Sequence, residues 1–268
     1  MQEGWDSPVI RNLSRLIALS DQGLDHLAAL TRDVIELKPR RKLIDENRPC
    51  EHIFIVTSGW LSEFRQLPDG GRQILNFRLP GEVTGVECLL YKTALHSAAA
   101  LTQCTVAAIS REDFEDTQRQ YPRLASAFLL SSLRDGAILQ ERAVNLGRRA
   151  AFPRIAHLLL ELERRVRNSG LSQENSVPFP LKQQDIADCT GLTTPYVNRV
   201  LQQMRAMGLI SIGEESLEIL NSAELAKAAG FRPDYLQAGP QTEWQARFRT
   251  EEGRPRNATV NGHPAALA

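Results

Sequence analysis

Asn198 and Arg199 are the residues whose types and spacing point most clearly to a chemistry. An asparagine amide pairs well with an adenine edge, and an arginine guanidinium with guanine. Side by side near the start of a helix, both can enter a DNA major groove. Tyr196, Gln202 and Gln203 share the outward faces of that segment. Lys182 begins the preceding segment, where only a DNA backbone would be near. Arg199 could instead hold a phosphate, which gives affinity without specificity. The other candidate groups are scattered. Cys50, Cys88, Cys104 and Cys189 form no C-x-x-C pair, and reduced thiols are expected of them. A free cysteine is either a small buried hydrophobe or a redox-active thiol, so a redox-responsive regulator is the alternative reading. His26, His52, His96 and His157 show no ligand spacing, so no metal and no cofactor are expected. The chain has no H-E-x-x-H, G-x-S-x-G or P-loop motif, and no enzymatic activity is expected.

The elements that must hold Asn198 and Arg199 are legible in residues 181–220. Ile186 and Ala187 give a first helix its inner face, and Gly191 supplies a turn. Thr194 is expected to cap a second helix, with Pro195 in its first turn. Val197, Val200, Leu201 and Met204 repeat at helical spacing and form one buried stripe. Gly208 stops that helix. Leu209–Ile212 and Leu217–Leu220 read as two strands around Gly213-Glu214-Glu215-Ser216. Helix, glycine turn, helix and hairpin in this order describe a winged helix-turn-helix. A helix pair that never touches DNA is the competing interpretation.

The rest of the chain reads as α+β. Residues 10–33 carry one or two amphipathic helices. Residues 34–110 are short strands broken by turns, such as Pro68-Asp69-Gly70-Gly71, and suggest a β-sandwich or barrel. A short helix follows at 111–121. A long one then has Leu124, Phe128, Leu129, Leu133, Ile138 and Leu139 on overlapping faces. Its stripe belongs either in a partner subunit or on its own β-domain, and a homodimer is favoured. The expected divisions are 1–121 for an N-terminal sensor domain, 122–147 for a dimerisation helix, 148–230 for the DNA module and 231–268 for a disordered tail. The 268 residues have no net charge, but residues 148–210 hold nine basic side chains against five acidic. A basic module on a mildly acidic partner suits a DNA reader with a separate control domain. No apolar run is long enough to span a membrane and no signal peptide is evident, so a cytoplasmic location is expected.

Together, Gly59, Gly70-Gly71, Pro80-Gly81-Glu82, Gly85, Gln184-Asp185-Ile186-Ala187 and Val197-Asn198-Arg199-Val200-Leu201 resemble the cyclic-AMP receptor protein/FNR (Crp/Fnr) family of bacterial transcription regulators. The resemblance covers about residues 15–220. It implies a β-roll, a homodimer on an inverted-repeat double-stranded DNA site, and contact with RNA polymerase. It places the base-reading positions on Thr194, Pro195, Asn198 and Arg199. With the neighbours, the expected DNA-facing set is Lys182, Thr193, Thr194, Pro195, Tyr196, Asn198, Arg199 and Gln202. The effector pocket maps to Gly85, Val86, Glu87, His96 and Ser97. Nucleotide-binding members have a glutamate where Val86 stands and an arginine where His96 stands. Valine cannot accept a ribose hydrogen bond, and neutral histidine is a poor phosphate clamp. On a strand, Glu87 would face away from the pocket. Iron–sulfur members carry an N-terminal cysteine cluster, whereas no cysteine precedes Cys50 here. Such a cluster would also need Cys189 to reach the roll. Neither cyclic AMP nor an iron–sulfur cluster is therefore expected as the signal.

Overall fold

The structure is a computed structural model that describes residues 7–172 and 174–237. Two helices open it, α1 (Pro8–Leu16) and α2 (Asp21–Leu30). Ser7 and Ser20 cap them, each accepting a backbone N–H at 3.2 Å.

Eight strands then build two antiparallel four-stranded sheets. One holds β1 (Val34–Leu37), β8 (Cys104–Ser110), β3 (His52–Ser58) and β6 (Val83–Thr84), in that spatial order. The other holds β2 (Lys42–Ile44), β7 (Ser97–Ala100), β4 (Leu61–Gln66) and β5 (Arg72–Arg78). Strand β3 explains its own apolar run. Phe54 and Val56 face the space between the sheets, whereas Ile53 and Ile55 face the helices outside. A strand covered on both faces has no polar side to alternate. The expected hairpin at 68–71 joins β4 to β5, with Gly70 at φ 86° and Leu67 N–H bonded to Gly71 O at 2.8 Å.

Helix α3 (Arg111–Gln120) leads into α4 (Pro122–Arg148) and α5 (Ala151–Asn168). Helix α4 divides its apolar residues between two surfaces. Leu124, Phe128 and Ile138 are buried, with Phe128 edge-on to Phe114 at 5.7 Å. Leu129 and Leu133 remain 60% and 61% exposed, and Leu139 and Val144 are also exposed. Phe128 therefore belongs to the roll's core, and only the exposed set is free to meet a partner.

The DNA module comprises β9 (Ser176–Pro178), α6 (Gln183–Thr190), α7 (Thr194–Ala206), β10 (Ile210–Ile212), β11 (Ser216–Ile219) and α8 (Ser222–Ala229). Strand β9 precedes helices α6 and α7, and it completes a sheet of order β10-β11-β9. The tail boundary also moves. Residues 233–236 form a 3-10 turn, Leu236 is buried, and the Tyr235 hydroxyl donates to Glu161 at 3.2 Å. The aromatic rings of Phe231 and Tyr235 close over buried His157, which a search for loss of periodicity could not reveal. The remainder of the expected tail, 238–268, lies outside the described residues.

Two expectations about cysteine are corrected. Cys50 and Cys88 are joined in a disulfide, because the loop before β3 passes beside the turn after β6. Cys189 is not remote from the roll. Helix α6 packs on β5, and Gln73 Nε2 donates to Cys189 O at 3.2 Å. Phe64, Ile74 and Phe77 of the roll share one apolar cluster with Leu158, Ile186 and Val197. Among the described residues, no helix is long and apolar enough to cross a membrane, and no cluster of three His, Cys, Asp or Glu could hold a metal.

Candidate nucleic-acid interface and buried cleft

Helices α6 and α7 meet at Gly191, whose φ of 64° is left-handed backbone that favours glycine. Asp185 fixes the start of α6, where its carboxylate accepts the Lys182 backbone N–H at 2.9 Å. Val197, Val200, Leu201 and Met204 are buried, as the helical spacing requires. Thr193, Pro195, Tyr196, Asn198, Arg199 and Gln202 are exposed together on α7, with Lys182 exposed at the start of α6. Thr194 has a different task from the one expected. Thr193 occupies the cap position, and the half-buried Thr194 hydroxyl donates to Gln184 Oε1 at 2.7 Å, tying α7 to α6.

Two contacts orient side chains on this exposed face. The Arg199 guanidinium lies over the Tyr196 ring, 5.5 Å from its centroid, which leaves its N–H edge free. Gln183 Nε2 donates to Asn198 Oδ1 at 3.2 Å, so the asparagine amide keeps its own donors for a base. Gln183 and Gln184 were not expected at this face. Their place in the first turn of α6, beside Lys182, was the available signal. The wing differs from a phosphate contact. Glu214 and Glu215 are exposed at its tip, and carboxylates there oppose a phosphate backbone.

Four of the nine basic side chains of residues 148–210 are tied to groups of the protein itself. Arg165 is bound to Glu82 and Glu161, Arg167 to Glu163, Arg149 to Glu141, and Arg154 to the carbonyls of Arg149 and Thr190. Arg199 stands exposed beside Asn198 on α7, and Lys182 is exposed at the start of α6. Ion pairs also link this head to the roll: Arg72 of β5 bonds Asp185 at 2.8 Å and Asp188 at 2.6 Å.

A second site lies between the roll and α4. It is a cleft of about 460 Å³ lined by Glu63, Arg78, Gly85, Val86, Glu87, His96 and Asp135, among others. Gly85 has φ 79°, and a Cβ there would meet the His52 carbonyl oxygen at 2.9 Å. The strand expected to turn Glu87 away is instead a 3-10 turn, Val86–Leu89, so Glu87 faces the cleft. Its Oε1 lies 3.1 Å from His96 Nδ1. Ser97 is not brought in. It is buried at the start of β7, and its hydroxyl accepts from the Glu46 backbone N–H at 3.1 Å.

Three charged residues of the cleft were missed: Glu63, Arg78 and Asp135. Arg78 bonds Glu63 at 2.7 Å and Asp135 at 2.6 Å, and Thr84 also donates to Glu63. Burial would raise the Glu63 carboxyl, but Arg78 and His96 outweigh that and hold it well below the usual carboxylate range. Burial lowers His96, yet Glu63 and Glu87 reverse the effect and raise it above its ordinary value. Burial raises Asp135 even though Arg78 opposes it. Glu87 Oε1, His96 Nε2 and Asp135 Oδ1 make no hydrogen bond; the two histidine pairs are close in distance but poorly aligned. The cleft is thus rich in carboxylates, and its one arginine is already engaged.

With this geometry in place, comparison with known proteins is specific. Residues 34–121 match the cyclic nucleotide-binding domain, and residues 153–228 match the Crp-like helix-turn-helix domain. The chain is 32% identical over 183 residues to the nitrogen fixation regulation protein FixK of Rhizobium meliloti, covering 68% of this chain and 79% of that protein. It is 29% identical over 214 residues to the transcriptional activator protein anr of Pseudomonas aeruginosa, covering 80% and 87%. The structure of FixK2 from Bradyrhizobium japonicum superposes with a TM-score of 0.68 at 25% identity, over 75% of this chain and 98% of that one.

Proposed function

The chain belongs to the Crp/Fnr family of transcription regulators, and from that premise we propose that it reads an inverted-repeat DNA site as a homodimer. The carrying observation is the α7 face, where Asn198, Arg199 and Gln202 stand exposed above a fully buried apolar stripe. Two such helices, one per subunit, would enter successive major grooves about one helical turn apart. The exposed stripe of α4 supplies the dimer contact. Recruitment of RNA polymerase and action in the cytoplasm belong to the same reading.

Arg199 and Lys182 test it, because they are assigned different tasks. Arg199→Ala is expected to cost roughly 1–3 kcal/mol per half-site and to relax preference for one guanine. Lys182→Ala should weaken all duplexes alike and lower the salt slope by about one contact per subunit. Both variants are compared on a selected duplex and a scrambled one across a salt series. If Arg199→Ala lowers both affinities by one factor, Arg199 is a phosphate clamp, and base reading passes to Asn198 and Gln202.

The cleft beneath α4 is the place for a signal, but its chemistry disfavours a cyclic nucleotide. A cyclic phosphate needs unengaged donors, whereas Arg78 is held by Glu63 and Asp135. Glu87 and Asp135 would also face the phosphate with like charge. Calorimetry with cyclic AMP should therefore register no binding up to about 1 mM, an affinity weaker than roughly −4 kcal/mol. Saturable micromolar binding would count against this assignment.

A further inference from the structure

Cys50 and Cys88 form a disulfide in a chain whose proposed work is on DNA. DNA is read in a reducing compartment, where disulfides are rare and those that form are transient, catalytic or redox-sensing. That step rests on the DNA-binding reading, whereas the geometry of the pair stands by itself. Cys50 ends the loop in front of β3, and Cys88 lies in the turn Val86–Leu89, with Cα atoms 5.4 Å apart. Cys50 is half-buried and Cys88 buried, so an incoming sulfur reaches the pair from the Cys50 side. Both border a surface depression of about 860 Å³, which His52, Lys92 and Arg111 also line. It has room for a peptide-sized thiol. Arg111 donates to the carbonyls of Cys88 and Leu89 at 3.1 and 3.0 Å, bringing a cation to the end where a Cys88 thiolate would form. The other two cysteines are unlike this pair. Cys104 and Cys189 are buried, and burial pushes their thiols up to about 12 and about 11.

The pair also holds something that can move. The turn bearing Cys88 carries Glu87 into the cleft and continues into exposed Leu90 and Tyr91. Further on, Thr93 bridges to Pro49, and Ala94 exchanges backbone hydrogen bonds with Asn47 and Arg48 at 2.9 Å. The disulfide and this bridge fasten two ends of segment 86–96 to the same stretch, 47–50. Opening the disulfide leaves one of those two staples.

We propose that Cys50–Cys88 is a reversible exchange site for a low-molecular-weight thiol–disulfide couple, and that its state fixes or frees segment 86–96 beside the cleft. In the oxidising direction the Cys50 thiolate attacks the small disulfide. A Cys50 mixed disulfide forms, and the first small thiolate leaves. The Cys88 thiolate then attacks the Cys50 sulfur and expels the second. Two electrons pass to the small disulfide, and the two protons of the cysteine thiols end on the two small thiols. Reduction is the reverse sequence.

The test equilibrates the full chain against graded ratios of oxidised to reduced glutathione. Free thiols are labelled with iodoacetamide under native conditions, and amide exchange of 86–96 is followed on the same samples. Cys50 and Cys88 should gain label together in one transition while Cys104 and Cys189 stay unlabelled. Amide exchange in 86–96 should quicken about tenfold on reduction. Cys50→Ser and Cys88→Ser should each show the fast exchange at every ratio. A pair that stays oxidised throughout, never pairs, or opens without altering 86–96 overturns the proposal. Duplex binding measured in parallel separates the two readings. If neither redox form prefers a selected site over scrambled DNA while the labelling transition and the exchange change persist, the DNA reading fails and the exchange site stands.

Discussion

Replacing both Leu129 and Leu133 with glutamate is expected to leave a folded monomer whose affinity for an inverted-repeat duplex falls by at least about 100-fold. Both side chains sit on α4 with about three-fifths of their surface in water, and neither is needed by the core that Phe128 and Leu124 fill. An exposed leucine pair on a long helix is a cost in a monomer and a contact in a dimer. Glutamates facing each other across a two-fold axis would add like-charge repulsion to the lost apolar area. Affinity follows because one half-site held alone forgoes the effective concentration that a linked second head provides. Sedimentation equilibrium at micromolar concentration, with a thermal melt as the folding control, reads the outcome. A wild-type protein that is already monomeric, or a double variant that remains dimeric, would remove α4 as the interface. Phe128→Glu is a poor substitute for this test, since Phe128 is 1% exposed and would unfold the roll instead.

The helix-turn-helix was legible because its signals are local. Helical spacing fixes Val197, Val200, Leu201 and Met204 inward, and that alone turns Asn198 and Arg199 outward. The roll was legible as strands and turns for the same reason, down to the hairpin at 68–71. Partners brought together by topology were not. Glu63, Arg78 and Asp135 come from β4, β5 and α4, and nothing in their separate neighbourhoods marks them as one cluster. Cys50 and Cys88 are 38 residues apart and meet only because β6 returns beside β3. Glu87 was misplaced by a local error with a physical cause. Left-handed Gly85 ends β6 and starts a 3-10 turn, and that changes which face the next side chains take. The charge surplus is a less direct signal, since counting charges does not distinguish an exposed cation such as Arg199 from one buried against a glutamate, such as Arg165.

Arg165 shows how much depends on such a buried arginine, and Arg165→Ala is expected to destabilise the protein by about 3–5 kcal/mol. Its guanidinium is 3% exposed at the side chain and meets Glu82 at 2.6 Å, Glu161 at 3.0 Å and Asn76 Oδ1 at 3.1 Å. Burial alone would depress the arginine, but Glu82 and Glu161 overcome it, so the cation is firmly held. Removing it strands the Glu82 carboxylate without a salt-bridge partner; Glu161 keeps Arg142 at 3.2 Å and suffers less. In a protein of this size the loss corresponds to a fall in Tm of roughly 10 °C. The consequence reaches function because Arg165 joins α5, which underlies the DNA module, to the turn Leu79–Glu82 of the roll. Pairing Arg165→Met with Glu82→Gln removes both charges of that pair while keeping most of the volume, and should restore a large part of the stability. Thermal melts of the two single variants and the double variant give the coupling directly. A fall of less than about 1 kcal/mol for Arg165→Ala would mean that water reaches Glu82 and that the two domains are not locked through this contact.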